Sequence, residues 1–279
     1  MSRPRTLLIV AGEVSGDMHA ALLLEALRRH DPALRAFGVG GDRLRAAGME
    51  ILYDVRDTGV MGFTDVVRRL GFFRRMFKVL TAQARERRPD AVVLIDYPGF
   101  NLRFAAAAHA MGLKVIYYIC PQVWAWNRRR IPRMAKIVDR LISIFPFEPA
   151  VFAGTGLKTD FAGHPLVDEI RESLSEPASP LPWGGEPRIA ILPGSRDQEI
   201  TRLLPVLCEA ACLIEQRRPG ASFLMAAPSA EKGTKLRALL AQMPQRPAHS
   251  TWWMPACGRY CGRHGPRSSS RARVRWRPP

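Results

Sequence analysis

Ala91-Val92-Val93-Leu94-Ile95-Asp96-Tyr97-Pro98-Gly99-Phe100-Asn101 is the stretch on which the fold turns. It opens with apolar residues in an unbroken run, Ala91 to Ile95. A strand with one wet face alternates in polarity; a strand apolar at every position is covered on both faces. Pro89-Asp90 stops the segment before it, and Asp96 ends the run. Such strands belong to parallel sheets sandwiched between helices. Working outward, Thr6–Ala11, Arg35–Val39, Lys114–Ile119 and Arg140–Phe145 read as further strands. Gly16–His30, a stretch from about Phe63 to Arg88, and Leu102–Met111 carry helical periodicity. A short helix follows the Gly38-Val39-Gly40-Gly41-Asp42 turn. The alternation predicts an α/β fold on a doubly wound parallel sheet.

Residues 176–187 break this rhythm with four prolines and two glycines, and read as a linker. A second αβ unit starts at Arg188, with a strand to Leu192, a helix Gln198–Arg217, a strand Ser222–Ala226 and a helix Glu231–Met243. The expected layout is an N-terminal lobe over 1–175, the linker, and an incomplete second doubly wound lobe over 188–248. From His249 onward no helix or strand period is visible, and no acidic residue follows Glu231. Residues 249–279 therefore read as an aberrant basic tail without fixed structure. A nucleic-acid-binding tail is one origin, and a frameshifted end is the other. The half-built domain before the tail favours the frameshift, because a two-stranded sheet cannot bury both faces.

With 279 residues, 47% of them hydrophobic, the chain holds one large or two ordinary domains with a real core. No apolar run reaches the roughly 18 residues of a membrane span. The run Thr6–Ala11 is cut by Gly12-Glu13, so it reads as a strand and not as a signal segment. Five cysteines, an odd number, give no disulfide framework, and a reducing cytoplasm fits. The spacing of Cys257, Cys261 and His264 matches no common zinc site. A net charge of +17 points to an anionic partner: nucleic acid, phosphorylated substrate or membrane surface.

Several turns carry candidate chemistry. Ile189–Leu192 runs into Pro193-Gly194-Ser195-Arg196 and then the acidic start Asp197-Gln198-Glu199. Helix-terminal N–H groups and one guanidinium there would hold a phosphate, and an ordinary turn with a solvated arginine fits equally. Ala11-Gly12-Glu13-Val14-Ser15-Gly16-Asp17 follows the first strand and lacks the GxGxxG pattern. Its two acids would repel a pyrophosphate and suit sugar hydroxyls or an amine. A glycine turn with a capped helix is the alternative. Asp96 lies at the carboxyl end of a buried strand, where ligands gather in open α/β sheets and where a carboxylate between apolar walls serves as a general base. Loop capping by Asp96 and helix capping by Asn101 are the plainer roles. In Cys120-Pro121-Gln122-Val123-Trp124-Ala125-Trp126-Asn127, the indoles stack on a sugar, pack on an acyl chain, or fill core. Arg128, Arg129, Arg130, Arg133 and Lys136 form either a solvated face or a phosphate or head-group contact. Phe72, Phe73, Met76, Phe77 and Leu80 share one helix face, with Arg74, Arg75 and Lys78 opposite. This suits a membrane-interface helix or a core-facing helix with a basic exterior. His164, alone between a short strand and a helix, reads as structural.

These segments together resemble the lipid-A-disaccharide synthase family. The pieces are AGEVSGD at 11–17, GVGGDRL at 38–44, MGFTDV at 61–66, IDYPGFN at 95–101, PQVWAW at 121–126, FPFE at 145–148, GHPLVD at 163–168 and LPGSRDQEI at 192–200, in the family's order. The resemblance implies a GT-B-like α/β glycosyltransferase of two Rossmann-like lobes, the second incomplete here. It implies transfer of 2,3-diacylglucosamine from UDP-2,3-diacylglucosamine to 2,3-diacylglucosamine 1-phosphate, with no metal or cofactor. It further implies a cytoplasmic enzyme, peripheral on the inner membrane, with a homodimer open to the full-length protein and no nucleic-acid partner. Asp96 falls on the family's general base and Arg196 on the arginine that stabilises the departing diphosphate. Glu13, Ser15, Gly16, Asp17, Asn101, Gln122, Trp124 and Trp126 fall on substrate-binding motifs, and Phe72–Phe77 on a membrane-contacting segment. The family's Ser-Gly-Thr-Ala-Thr-Leu-Glu turn, which binds the uridine nucleotide, has no counterpart here, so this chain alone is expected to show little or no transfer. The competing expectations are an unrelated nucleotide-binding α/β protein and a basic nucleic-acid-binding protein.

Overall fold

A computed structural model describes residues 4–58, 70–175, 181, 183–194, 197–227, 230–244, 247 and 250–253. The chain divides into two compact units, Met1–Glu176 and Pro177–Pro279. In the first, seven parallel strands lie in the order β3-β2-β1-β4-β5-β6-β7. They are β1 Thr6–Ala11, β2 Arg35–Gly40, β3 Glu50–Asp54, β4 Ala91–Ile95, β5 Val115–Tyr118, β6 Arg140–Ser143 and β7 Lys158–Phe161. β4 is buried at every position, as its apolar run requires. It pairs with β1 in the register Leu7↔Ala91 through Ala11↔Ile95.

The helix Val14–His30 follows β1 with Asp17 in its first turn and Arg28, Arg29 and His30 in its last. That placement complements the helix dipole at both ends. Its buried stripe, Ala20, Ala21 and Leu24, packs on one face of the sheet with Ile9, Val93 and Ile95. The opposite face is covered by the helices Leu70–Arg87 and Pro98–Ala110. Met76, Leu80 and Ala84 of the first are buried there with Phe104, Ala105 and Ala108 of the second.

That packing bears unequally on the residues of the expected membrane-contacting segment. Met76 is fully buried in the core and offers nothing to a membrane surface. Phe72, Phe73 and Phe77 are half-buried against the same core. Phe77 meets Phe100 at 6.0 Å and Phe104 at 5.9 Å, edge to face. Arg74 and Arg75 are exposed. Residues 63–69, the expected start of this helix, lie outside the described residues.

The second unit has a three-stranded parallel sheet, β10-β9-β8, of Ser250–Trp253, Ser222–Ala226 and Arg188–Ile191. The helices Asp197–Arg217 and Ala230–Ala241 supply Ile200, Leu204, Cys208 and Leu236 to its core, against Phe223 and Met225. Two strands were expected here and β10 was not: Ser250–Trp253 pairs with Phe223–Ala226 although it lies in the segment read as a tail. A short strand needs only backbone partners at its edge, which leave no periodicity behind.

Candidate active site

Strand order reverses its direction of winding between β1 and β4. In such sheets the crevice outside the carboxyl ends of these two strands is where ligands bind. Gly12-Glu13 follows β1, and Asp96-Tyr97 follows β4. A Cβ at Gly12 would overlap the Tyr97 ring, so glycine lets the two turns close together. Asp96 and Tyr97 are both left-handed, at φ 44° and 49°. Each such residue costs about 1–3 kcal/mol and persists only where its surroundings impose the conformation. Here they do. The Asn101 amide donates to the carbonyls of Asp96 at 2.8 Å, Ile95 at 3.1 Å and Val10 at 3.4 Å. The Tyr117 hydroxyl donates to the same Asp96 carbonyl at 2.5 Å. Ile119, which follows β5, is left-handed too, at φ 64°, which is rare for a β-branched residue.

The turns after β4, β5 and β6 edge a pocket of about 370 Å³. Asp96 and Pro98 form one wall, Ile119–Val123 another, and Asn127, Arg130 and Phe145 complete it. Burial, and then the charge of Glu13, raise the carboxyl pKa of Asp96 from its ordinary value. The same causes push the Tyr97 hydroxyl up to about 12. Burial, followed by the nearby Glu148, holds the Cys120 thiol far above its usual value. Glu148 is fully buried behind this wall. It accepts the Trp124 indole N–H at 3.2 Å and the Phe145 N–H at 3.3 Å. A carboxylate with a raised pKa, opening on a pocket, is suited to taking a proton from a bound hydroxyl.

The expected site residues separate into two groups. Asp96 and Gln122 line the pocket. Glu13 is half-buried beside Asp96, at the N-cap of its helix. Ser15 is exposed in the first turn. Four of the expected residues are engaged by the scaffold. Asp17 is 3% exposed, and its carboxylate accepts the N–H groups of Gly41, Arg43 and Leu44 at 2.5, 3.0 and 3.2 Å. It caps the short helix Asp42–Ala46 from the neighbouring helix. Asn101 is fully buried and holds backbone rather than ligand. Gly16 is buried against Ile95 and Ala11, packing its helix on the sheet. Trp124 uses its N–H on Glu148 and its ring on Phe147, 4.9 Å away edge to face. Trp126 lies in the helix Val123–Trp126, and its side chain is outside the described residues, as is Arg196.

Tyr97, Tyr117 and Glu148 join the site without being singled out by the sequence. A glutamate set between Phe145-Pro146-Phe147 and Pro149 was the available signal for the last.

A family model described as lipid-A-disaccharide synthetase matches residues 7–251. The chain belongs to that family. Among curated members, the lipid-A-disaccharide synthase of Myxococcus xanthus is 43% identical over 79% of this chain and 58% of its own length. That of Trichlorobacter lovleyi is 40% identical over 81% of this chain and 60% of its own. The chain thus spans about three fifths of the length of the lipid-A-disaccharide synthases it matches. Solved structures share the fold at low identity. The UDP-GlcNAc 2-epimerase of Neisseria meningitidis, bound to UDP-GlcNAc, superposes with a TM-score of 0.57 at 13% identity, covering 90% of this chain and 72% of that one. MnaA of S. aureus with UDP gives 0.60 at 10%, covering 91% and 69%. The expected α/β fold on parallel sheets is the one observed in each unit.

Proposed function

We propose that this chain carries the acceptor lobe, and the opening of the donor lobe, of a lipid A disaccharide synthase. The reaction transfers 2,3-diacylglucosamine from UDP-2,3-diacylglucosamine to 2,3-diacylglucosamine 1-phosphate, giving lipid A disaccharide 1-phosphate and UDP. Asp96 takes the proton of the acceptor 6-hydroxyl as that oxygen bonds the donor's anomeric carbon. The bond from that carbon to the diphosphate breaks, and Arg196 stabilises the charge of the departing UDP. Glu13 tunes Asp96, while Ser15 and Gln122 contact substrate. The observation that carries the reading is Asp96 itself, fixed in a left-handed turn at the sheet's switch point, its pKa raised, facing a pocket.

Both substrates bear acyl chains, so we place the enzyme on the cytoplasmic face of the inner membrane. The exposed Arg74, Arg75 and Lys78 and the net charge of +17 support attraction to anionic lipid. Among the described residues no helix is long and apolar enough to cross a membrane. A homodimer of the full-length protein belongs to the same proposal.

The test is a chimera in which residues 1–175 replace the same region of the Myxococcus xanthus relative. It makes disaccharide from the two substrates, and Asp96→Asn lowers kcat by about 10²–10⁴, the usual worth of a general base. Disaccharide formation undiminished by Asp96→Asn would sink the assignment.

A further inference from the structure

We infer that Arg130 binds the phosphomonoester of a sugar phosphate seated in this pocket, and so selects a phosphorylated acceptor. The inference rests on the proposed function and adds the residue that reads the acceptor's charge. Arg130 lines the pocket that Asp96 also lines. It is half-buried, and among the described residues neither it nor Asp96 makes an ion pair. One wall therefore offers a carboxylate and another a guanidinium, and the two do not neutralise each other.

The setting of Arg130 adds a second, independent observation. It opens the helix Arg130–Ile137, whose N-cap is Arg129 and whose first turn holds no acid. Helix N-termini carry partial positive charge and disfavour cations. Arg128, Arg129 and Arg130 thus crowd the one helix end where arginine is least welcome. Arg128 is tied back, its Nε donating to the Trp124 carbonyl at 3.1 Å. An anion beside Arg130 would relieve this repulsion and gain the fork of parallel hydrogen bonds that guanidinium offers to phosphate. The pocket's volume, about 370 Å³, is at the small end for ligand sites. It suits one sugar ring with its phosphate, leaving acyl chains outside.

The anion could instead be the diphosphate of the donor, so the experiment includes UDP. Glucosamine 1-phosphate, glucosamine and UDP are titrated calorimetrically into the 279-residue chain and into Arg130→Gln and Arg130→Lys. The unaltered chain should bind glucosamine 1-phosphate about tenfold or more tightly than glucosamine, as a charge-assisted bidentate contact allows. Arg130→Gln should erase that preference and leave UDP affinity unchanged. Arg130→Lys should keep part of it, as a point charge without the fork. Thermal melting of each variant confirms that the fold is intact. The inference is overturned if the unaltered chain shows no preference for the phosphorylated sugar. It is equally overturned if Arg130→Gln keeps the preference, weakens both sugars alike, or weakens UDP alone. None of these results depends on Asp96, whose chimera assay tests the reaction separately.

Discussion

Replacing Asp17 by alanine asks whether the first acidic turn is scaffold or ligand site. The carboxylate accepts three backbone N–H groups, from Gly41 at 2.5 Å, Arg43 at 3.0 Å and Leu44 at 3.2 Å. The bonds to Gly41 and Leu44 are buried, so water cannot take over when the acceptor is lost. Each stranded buried donor costs about 1–3 kcal/mol, which makes roughly 4 kcal/mol for the pair. A unit of this size shifts its melting point by about 2–4 °C per kcal/mol, so Asp17→Ala should melt roughly 8–16 °C lower. Asp17→Asn keeps one acceptor oxygen and should fall between. The assay is far-UV circular dichroism on heating, with glucosamine 1-phosphate titration at a temperature where both proteins are folded. Sugar affinity should then change less than twofold. A variant that melts within about 2 °C of the original but loses the sugar would refute the reasoning, because the carboxylate would then be serving a ligand.

Asp96 yields two pH-dependent outcomes. Its folded pKa is raised, so the stability it contributes is fully present below the ordinary carboxylate pKa and is lost as pH rises through the raised value. Asp96→Asn should therefore raise the melting point at neutral pH, with the gain fading below the ordinary carboxylate range. Burial is the first cause of the shift and Glu13 the second, so Glu13→Gln in the active chimera should move the acid limb of kcat/KM downward without bringing it to an unperturbed carboxylate. Asn101→Ala frees the Asp96 turn, and a misplaced base should lower kcat by about 10²-fold with KM changed far less. Met76→Ala should cost about 2–5 kcal/mol of stability and leave binding to anionic vesicles alone. Arg74→Glu with Arg75→Glu should weaken that vesicle binding and leave melting unchanged.

What was legible follows from where each signal is stored. Burial on both faces is written locally, so Ala91–Ile95 and Ser222–Ala226 were read with their observed bounds. β3, Glu50–Asp54, escaped because it lies at the sheet's edge and mixes Glu50 and Asp54 with Ile51, Leu52 and Tyr53. Asp96 was legible because its strand announced where the strand ended. The roles of Asp17 and Asn101 were not. Asp17 acts on N–H groups 24 to 27 residues away, and Asn101 reaches a carbonyl 91 residues away. Backbone partners are the same at every position, so a side chain that serves them looks like one awaiting a substrate. Phe72 and Phe77 posed the converse problem, since a stripe facing a membrane and one facing Phe100 and Phe104 have the same spacing.

The position of β1 has a consequence for how this protein is made. Its strand sits between β2, which follows soon after it, and β4, whose leading edge is tied to it by the Thr6 N–H bond to Asp90 across 84 residues. At synthesis rates of 5–20 residues per second, β1 waits on the order of ten seconds with one apolar edge unpaired. During that interval the helix Val14–His30 and β2 cover Ile9, while Leu8 and Val10 face the side that the later helices Leu70–Arg87 and Pro98–Ala110 close. A codon change that slowed translation between residues 40 and 90 would lengthen that exposure and favour aggregation without altering a single contact of the finished fold.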